Sequence, residues 1–184
     1  MKKNALLLCL VTSGLCSAQF ASKSHHFDVS TGFAAVEDRV GFLFGTGYSY
    51  GFGGNLVTAK YNYVYNKRFQ GFLASESRVI ISDAALLYGR TFPLNETMLL
   101  STSAGIAYDT LFFTEYDYDG ETASYQAVKS QQSHFGVPLD FTLRFFRAKQ
   151  TNVSYIALKA QGTISKNSFA SFGVAFGFAA PRTD

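Results

Sequence analysis

Few side chains in this chain of 184 residues are of the kinds that carry out catalysis. Its three histidines are His25, His26 and His134. A histidine acts as a general base when a nucleophilic serine and an acid lie beside it. Only Ser133, His134 and the acids of segment 114–127 could form such a set. We therefore predict no catalytic residues, and a lipid-modifying enzyme is the weakest of the alternatives kept below.

Acidic residues alternate along one polar segment, at Glu115, Asp117, Asp119 and Glu121. Acids at alternate positions before a glycine resemble the calcium loop D-x-D-x-D-G-x5-E, in which hard oxygen atoms converge on one ion. Position one is Glu here and position twelve is Gln126, so the bidentate carboxylate is missing, and no helices flank the segment. A weak calcium site and a solvated acidic outer loop both stay open. We assign no resident metal and no cofactor.

The first eighteen residues have the form of a secretion signal. A lysine pair at 2–3 precedes the apolar run 5–11, and the small residues at 16–18 suit cleavage after position 18. The apolar run is far shorter than the roughly 20 residues that a membrane-spanning helix needs. Lipidation of Cys16 is an alternative, but a bulky leucine precedes that cysteine. The predicted mature domain, 19–184, contains no cysteine and so no disulfide.

The composition excludes several classes of protein. Charged residues make up 16% of the chain, below the roughly 25% of soluble domains, while 19 Phe and 11 Tyr supply ample surface to bury. Disorder is therefore excluded. The net charge is only +3, without a basic run, so we predict no nucleic-acid partner. An aromatic chain with few charges and 16 glycines favours a β-rich membrane or secreted protein.

Alternation with a period of two dominates the rest of the chain and predicts strands. In 135–145 the odd positions are Phe, Val, Leu, Phe, Leu and Phe, and 172–178 repeats the pattern. Short connections at 53–54, 93–96 and 149–150 contrast with long polar ones at 67–78 and 114–127. The sequence predicts eight antiparallel strands, at about 26–36, 40–52, 55–66, 79–92, 97–113, 128–147, 152–164 and 168–179.

The contrast between the two strand faces predicts an inside-out barrel. One face carries Phe, Tyr, Val and Leu, and the other carries Gly, Ser, Thr, Ala and a few charges. The lumen of eight strands is only wide enough for small side chains to fill it, so the aromatic face belongs outside. A cation at the lipid midplane costs about 2–4 kcal/mol. We therefore predict a lumenal charge network of Asp83, Asp140, Arg144 and Lys159.

Turn positions predict which of these residues meet. A two-residue turn at 149–150 places Asp140 opposite Lys159 and Arg144 opposite Tyr155. We predict from this an Asp140–Lys159 ion pair in the lumen. A Gly53-Gly54 turn in the same way places Gly47 opposite Lys60, and Ser49 opposite Thr58. In both hairpins the partners fall on the polar face of their own strand.

Several stretches resemble those of a known family, the small outer-membrane β-barrel proteins of Gram-negative bacteria of the OmpX and OmpA type. They are DAALLYGR at 83–90, SAGIAY at 103–108, FGVPL at 135–139 and SFGVAFGF at 171–178. The resemblance implies an eight-stranded up-and-down transmembrane barrel in the outer membrane. It also implies contact with outer-membrane lipid and lipopolysaccharide, and insertion by barrel-insertion machinery. In such families the last strand commonly ends on an aromatic residue. Here the predicted last strand has Phe178 near its end, followed by six residues.

The family implies a location and a fold without implying a reaction. We predict a structural, envelope-stabilising or surface-interaction role, with an extracellular ligand or protein at the loops and a lumen that is filled rather than a wide pore. Two alternatives stay open. A soluble secreted lipocalin-like barrel would turn the aromatic face inward and bind a small apolar ligand. A lipid-modifying barrel enzyme would use the Ser133 and His134 set.

Overall fold

The structure, a computed structural model, describes residues 23–36, 39–67, 78–119, 124–146 and 153–181. The predicted secretion signal, 1–18, lies outside the described residues. No helix in the described part of the chain is long and apolar enough to cross a membrane. Its eight strands are β1 (Ser24–Val36), β2 (Arg39–Phe52), β3 (Asn55–Lys67), β4 (Arg78–Asn95), β5 (Met98–Asp119), β6 (Ser124–Phe146), β7 (Val153–Ile164) and β8 (Phe169–Pro181).

The strands form one closed antiparallel barrel, which confirms the predicted fold class. Each strand pairs with the next in sequence, and β8 pairs with β1 through partners such as Phe27 and Phe178. One end, here called the turn rim, carries the turns at 53–54 and 96–97 and the strand ends at Ser24 and Pro181. The opposite end, the loop rim, carries the turn at 165–168. Closure pairs the first strand with the last and leaves the ring without an edge.

Two glycines make the tight turn between β2 and β3. Gly53 and Gly54 have φ values of 54° and 78°, the left-handed backbone that a two-residue hairpin of type I′ requires at both central positions. The turn fixes the register, so Gly47 lies opposite Lys60 and Ser49 lies opposite Thr58. Both predicted pairings are confirmed.

The register between β6 and β7 differs from the prediction. Asp140 lies opposite Gln161 rather than Lys159, and Arg144 lies opposite Ala157 rather than Tyr155. The ladder begins with Phe146 opposite Tyr155, whereas a two-residue turn at 149–150 would place Phe146 opposite Val153, so the assumed turn put every partner two residues too early. A shift of two residues keeps every side chain on its own face. The inside and outside assignment was therefore unaffected, while the predicted partners were wrong.

The β5–β6 hairpin is longer than predicted, with strands of 22 and 23 residues. Pairing continues to Asp119 and Ser124, so most of the predicted loop 114–127 is strand. That prediction was wrong because alternating Tyr and Asp were interpreted as a solvated loop. The ladder with β4 stops at Thr114, and the ladder with β7 stops at Val137. Among the described residues, the hairpin therefore extends beyond its ladders with both neighbouring strands at the loop rim.

The faces of the strands separate by polarity as predicted. Along β8, Phe172, Phe176 and Phe178 are at least 60% exposed, while Ala175 between them is fully buried. Along β1, exposed Phe27 and Val29 alternate with buried polar residues. Large apolar side chains thus cover the exterior, and small or polar side chains fill the interior. This is the reverse of a water-soluble barrel.

Candidate functional site: the charged lumen

An ion pair lies across the middle of the lumen. Lys60 on β3 donates from Nζ to Asp140 Oδ2 on β6 at 3.1 Å, and both side chains are at least nine-tenths buried. Asp140 also accepts from Thr142 Oγ1 at 2.6 Å. A buried carboxylate is stable only when a charge and hydrogen bonds compensate its lost hydration. The alternation along β3 and β6 supplies these partners by turning polar residues inward.

Neutral side chains continue the network from that pair to the opposite wall. Gln161 on β7 accepts from Lys60 at 3.1 Å and donates to Asn62 at 3.3 Å. Asn62 in turn donates to Asp83 at 3.0 Å, and Thr163 donates to the other oxygen of Asp83 at 2.8 Å. Strands β3 and β7 lie four places apart in a ring of eight, so the two bonds of Gln161 cross the lumen. The bond from Asn62 to Asp83 joins neighbouring strands and follows the wall.

A second buried ion pair lies nearer the turn rim. Lys159 donates to Asp28 at 2.8 Å, and Asp28 also accepts from the Tyr155 hydroxyl at 3.4 Å. Arg144 donates to Ser101 and places its guanidinium carbon 5.6 Å from the centre of the Tyr155 ring. Such a cation–π contact partly replaces the hydration that the arginine loses on burial.

Each end of the lumen has its own cluster. At the turn rim the His26 ring lies 6.4 Å from the ring of Phe146 and 6.0 Å from that of Tyr155, measured between centroids. At the loop rim an apolar cluster is built on seven buried residues, with Leu111 and Phe113 packed against it. The seven residues are Ala34, Val36, Leu43, Val64, Val79, Ile81 and Phe169. The charged section of the lumen therefore lies between an aromatic cluster at the turn rim and an apolar cluster at the loop rim.

The four residues of the predicted network are all buried, and they divide into two groups, Asp83 with Asp140 and Lys159 with Arg144. Asp140 pairs with Lys60, Lys159 pairs with Asp28, and Asp83 accepts from two neutral side chains, so the predicted Asp140–Lys159 ion pair was wrong. Sequence reasoning missed Asp28, although its position between Phe27 and Val29 marks the inward face of β1. It placed Lys60 inside without finding its partner, which is 80 residues away in sequence.

The Ser133 and His134 side chains of the alternative enzyme interpretation do not come together. Ser133 and His134 are successive residues of β6, and successive side chains of a strand point to opposite faces. Ser133 bonds the Thr110 hydroxyl at 3.0 Å, whereas His134 lies opposite the buried Asp109. In the described part of the chain no three His, Cys, Asp or Glu side chains are grouped so as to hold a metal ion.

The acidic segment gives no site geometry. The backbone of Glu115, Asp117 and Asp119 is extended strand in β5. Glu121 lies outside the described residues. An extended backbone does not bring successive carboxylates around one ion as a calcium loop does. The calcium interpretation stays an untested hypothesis.

Several known structures are similar to this barrel. The chain is similar to Ail, the attachment invasion locus protein of Yersinia pestis, with a TM-score of 0.55 and 12% identity over 87% of this chain and 99% of that one. Ail has also been solved in complex with the heparin analogue sucrose octasulfate. Neisserial surface protein A matches with a TM-score of 0.57 and 11% identity over 87% of this chain and 97% of that one. No family model and no curated protein matches the sequence. The fold is thus that of the eight-stranded outer-membrane barrels.

Proposed function

We propose that this chain is an integral outer-membrane barrel that stabilises the envelope and presents an interaction surface outside the cell, without carrying out a reaction. In this proposal residues 1–18 are a cleaved secretion signal, and the barrel-insertion machinery places the mature domain, 19–184, in the membrane. The turn rim faces the periplasm and the loop rim faces outward, because short turns mark the periplasmic side of such barrels.

The large apolar area on the exterior of the barrel is the observation that best supports a location in the membrane. Phe135 is 79% exposed, Ile106 is 66% exposed and Ile164 is 64% exposed, each on a different strand. In water an apolar surface of this extent would drive aggregation, whereas in a bilayer it is solvated by lipid. A lipocalin-like barrel would need this surface inside, where the buried ion pairs already lie. Contact with lipid and lipopolysaccharide follows from the same surface.

The interaction surface that we propose is the protruding β5–β6 hairpin. Residues 124–136 of β6 extend past the end of the β7 ladder, and Val128, Lys129 and Gln131 among them are exposed. A strand edge without a neighbour can accept an extended segment of another protein through main-chain hydrogen bonds. A protein partner therefore fits this edge better than a small solute does.

The sulfated ligand of the similar Ail structure does not carry over directly. Four acids, Glu115, Asp117, Asp119 and Glu121, lie in the sequence of this chain's hairpin. Negative charge there would repel a polyanion over distances of about 8 Å in physiological salt. We therefore propose a protein partner rather than a sulfated sugar.

Cysteine labelling in intact cells tests the orientation and the exposure of the hairpin. The only cysteines of the chain are Cys9 and Cys16, so the proposed mature barrel has none. Lys129→Cys should react with a membrane-impermeant maleimide in intact cells. The control Glu96→Cys, at the turn rim, should react only after the outer membrane is permeabilised. Labelling of Glu96→Cys but not of Lys129→Cys in intact cells would reverse the proposed orientation. If Lys129→Cys stays unlabelled even after the outer membrane is permeabilised, the hairpin is not exposed.

A further inference from the structure

A cavity of about 270 Å³ lies inside the loop rim, above the charged section of the lumen. Its apolar walls are Val36, Val79, Leu111 and Phe113, all part of or packed against the apolar cluster of that rim. Its polar lining comes from Ser130 and Gln132 of β6 and from Asn167 and Ser168 of the β7–β8 turn. An apolar cup with a few convergent polar groups is the usual form of a small-molecule site.

One polar group in this lining lacks a partner. Asn167 is 8% exposed, and its Nδ2 forms no hydrogen bond with any part of the chain that the structure describes. A buried polar atom without a partner is costly, so such atoms are rare in folded proteins. An amide nitrogen donates, and what it lacks is an acceptor oxygen inside the cavity.

The turn that carries Asn167 is held in place by the lumen wall. Ser165 donates from Oγ to Asp109 Oδ2 at 3.2 Å, and the same Oγ accepts from the backbone N–H of Asn167 at 3.0 Å. Ser168 donates from Oγ to the Ser165 carbonyl at 2.6 Å. Asp109 is fully buried, so the position of Asn167 is fixed from below. A donor held in this way is preorganised for a ligand and does not need to become ordered on binding.

Three more polar atoms near the cavity form no hydrogen bond with the described part of the chain. Asp109 Oδ1 and His134 Nε2 are two of them, and these residues lie two positions along their strands from Leu111 and Gln132, on the same inward face. The third is Asn66 Nδ2, and Asn66 lies opposite Val79. Unsatisfied polar groups therefore gather around this cavity as well as lining it.

We propose that the loop-rim cavity binds a small uncharged molecule with an apolar body and an oxygen that accepts a hydrogen bond from Asn167. A cavity of 150 Å³ lined by apolar groups holds benzene, so by proportion this one holds about eleven non-hydrogen atoms. None of the eight side chains that line the cavity in the described part of the chain carries a charge, so these groups would not compensate the desolvation of an ionic ligand. The end of a lipid acyl chain lacks the required oxygen. This inference needs the closed barrel but not the surface-interaction role.

Nuclear magnetic resonance of the full barrel in lipid nanodiscs tests the site with two probes of equal size. Methyl benzoate carries ester oxygens, and n-butylbenzene carries none. Methyl benzoate should shift both the Asn167 side-chain amide and the Val79 methyl signals saturably. Butylbenzene should shift only the methyl signals, with about fivefold weaker affinity, as expected for the loss of one hydrogen bond. No saturable shift, or equal affinity for the two probes, would overturn the proposal.

Two pairs of variants locate the site. Val79→Phe fills the cavity and should abolish binding of both probes, whereas Ile80→Phe, on the opposite face of the same strand, should bind as the original chain does. Asn167→Leu keeps the backbone bond to Ser165 and should lower methyl benzoate affinity about fivefold, to the level of butylbenzene. If Val79→Phe does not fold, the Asn167→Leu result decides. Unchanged binding in Asn167→Leu, or unchanged binding in a folded Val79→Phe, would overturn the proposal.

Discussion

Replacing Lys60 with methionine should destabilise the barrel more than any single change on its outer surface. The Lys60 ammonium compensates the buried Asp140 carboxylate at 3.1 Å and also donates to Gln161 at 3.1 Å. Breaking a buried pair by removing one partner costs about 3–5 kcal/mol, because the remaining charge is left without compensation. Of the described residues, only Thr142 would still donate a hydrogen bond to Asp140, so we expect a loss of about 4 kcal/mol.

A double-mutant cycle separates the ion pair from packing effects. The Lys60→Met and Asp140→Leu changes together should cost much less than their sum, with a coupling of about 3 kcal/mol. Lys159→Met with Asp28→Leu should behave in the same way, and the exposed control Lys129→Met should cost less than about 0.5 kcal/mol. The chain has no tryptophan, so unfolding by urea from vesicles is followed by circular dichroism. Additivity of Lys60→Met and Asp140→Leu would refute the cross-lumen pairing.

Three further predictions test the lipid face, a close approach between two strands and the acidic segment. Leu158→Arg, at the middle of the lipid face of β7, should lower the free energy of unfolding by about 2–4 kcal/mol in the same assay. Ser154→Arg, near the turn rim, should lower it by at most about 1 kcal/mol. Equal losses would contradict the proposed position in the bilayer. Gly89→Ala places a Cβ against a backbone carbonyl oxygen of β5 and should lower the free energy of unfolding by about 1–3 kcal/mol. The control Gly47→Ala, whose new Cβ has its nearest contact at 3.4 Å, should leave stability unchanged or raise it. A tolerated Gly89→Ala would contradict the close approach of the two strands. Calorimetric titration with millimolar calcium should give no saturable heat, because the backbone of residues 115–119 is extended. A saturable signal that is lost in Asp117→Asn would instead support the calcium hypothesis.

The strand count and the two faces could be predicted because both depend on local alternation. A strand with one face in lipid and the other in a narrow lumen repeats every two residues, and that repeat survives errors in turn length. The β6–β7 hairpin demonstrates this, since its register shifted by two residues while Asp140 and Lys159 stayed inside. The ends of β5 and β6 could not be predicted in the same way. Acidic residues are depleted in strands, so the Tyr and Asp alternation was interpreted as a loop.

The partners inside the lumen could not be predicted, because barrel closure sets them. Lys60 meets Asp140 across 80 residues, and Lys159 meets Asp28 across 131. Those contacts depend on the tilt and stagger of all eight strands, which no single hairpin reveals. The loop-rim cavity had no sequence signal either, since Val36, Val79 and Asn167 come from three distant segments.

The central claim is that the aromatic exterior lies in the outer membrane around a closed, charged lumen. Separation of cell fractions, followed by gel electrophoresis in dodecyl sulfate with and without boiling, tests it most directly. We predict that the protein lies in the outer-membrane fraction, and that the unboiled barrel migrates as a compact form distinct from the boiled chain. Recovery in the soluble periplasm or medium, with one mobility under both conditions, would contradict the account and would favour a soluble ligand-binding barrel.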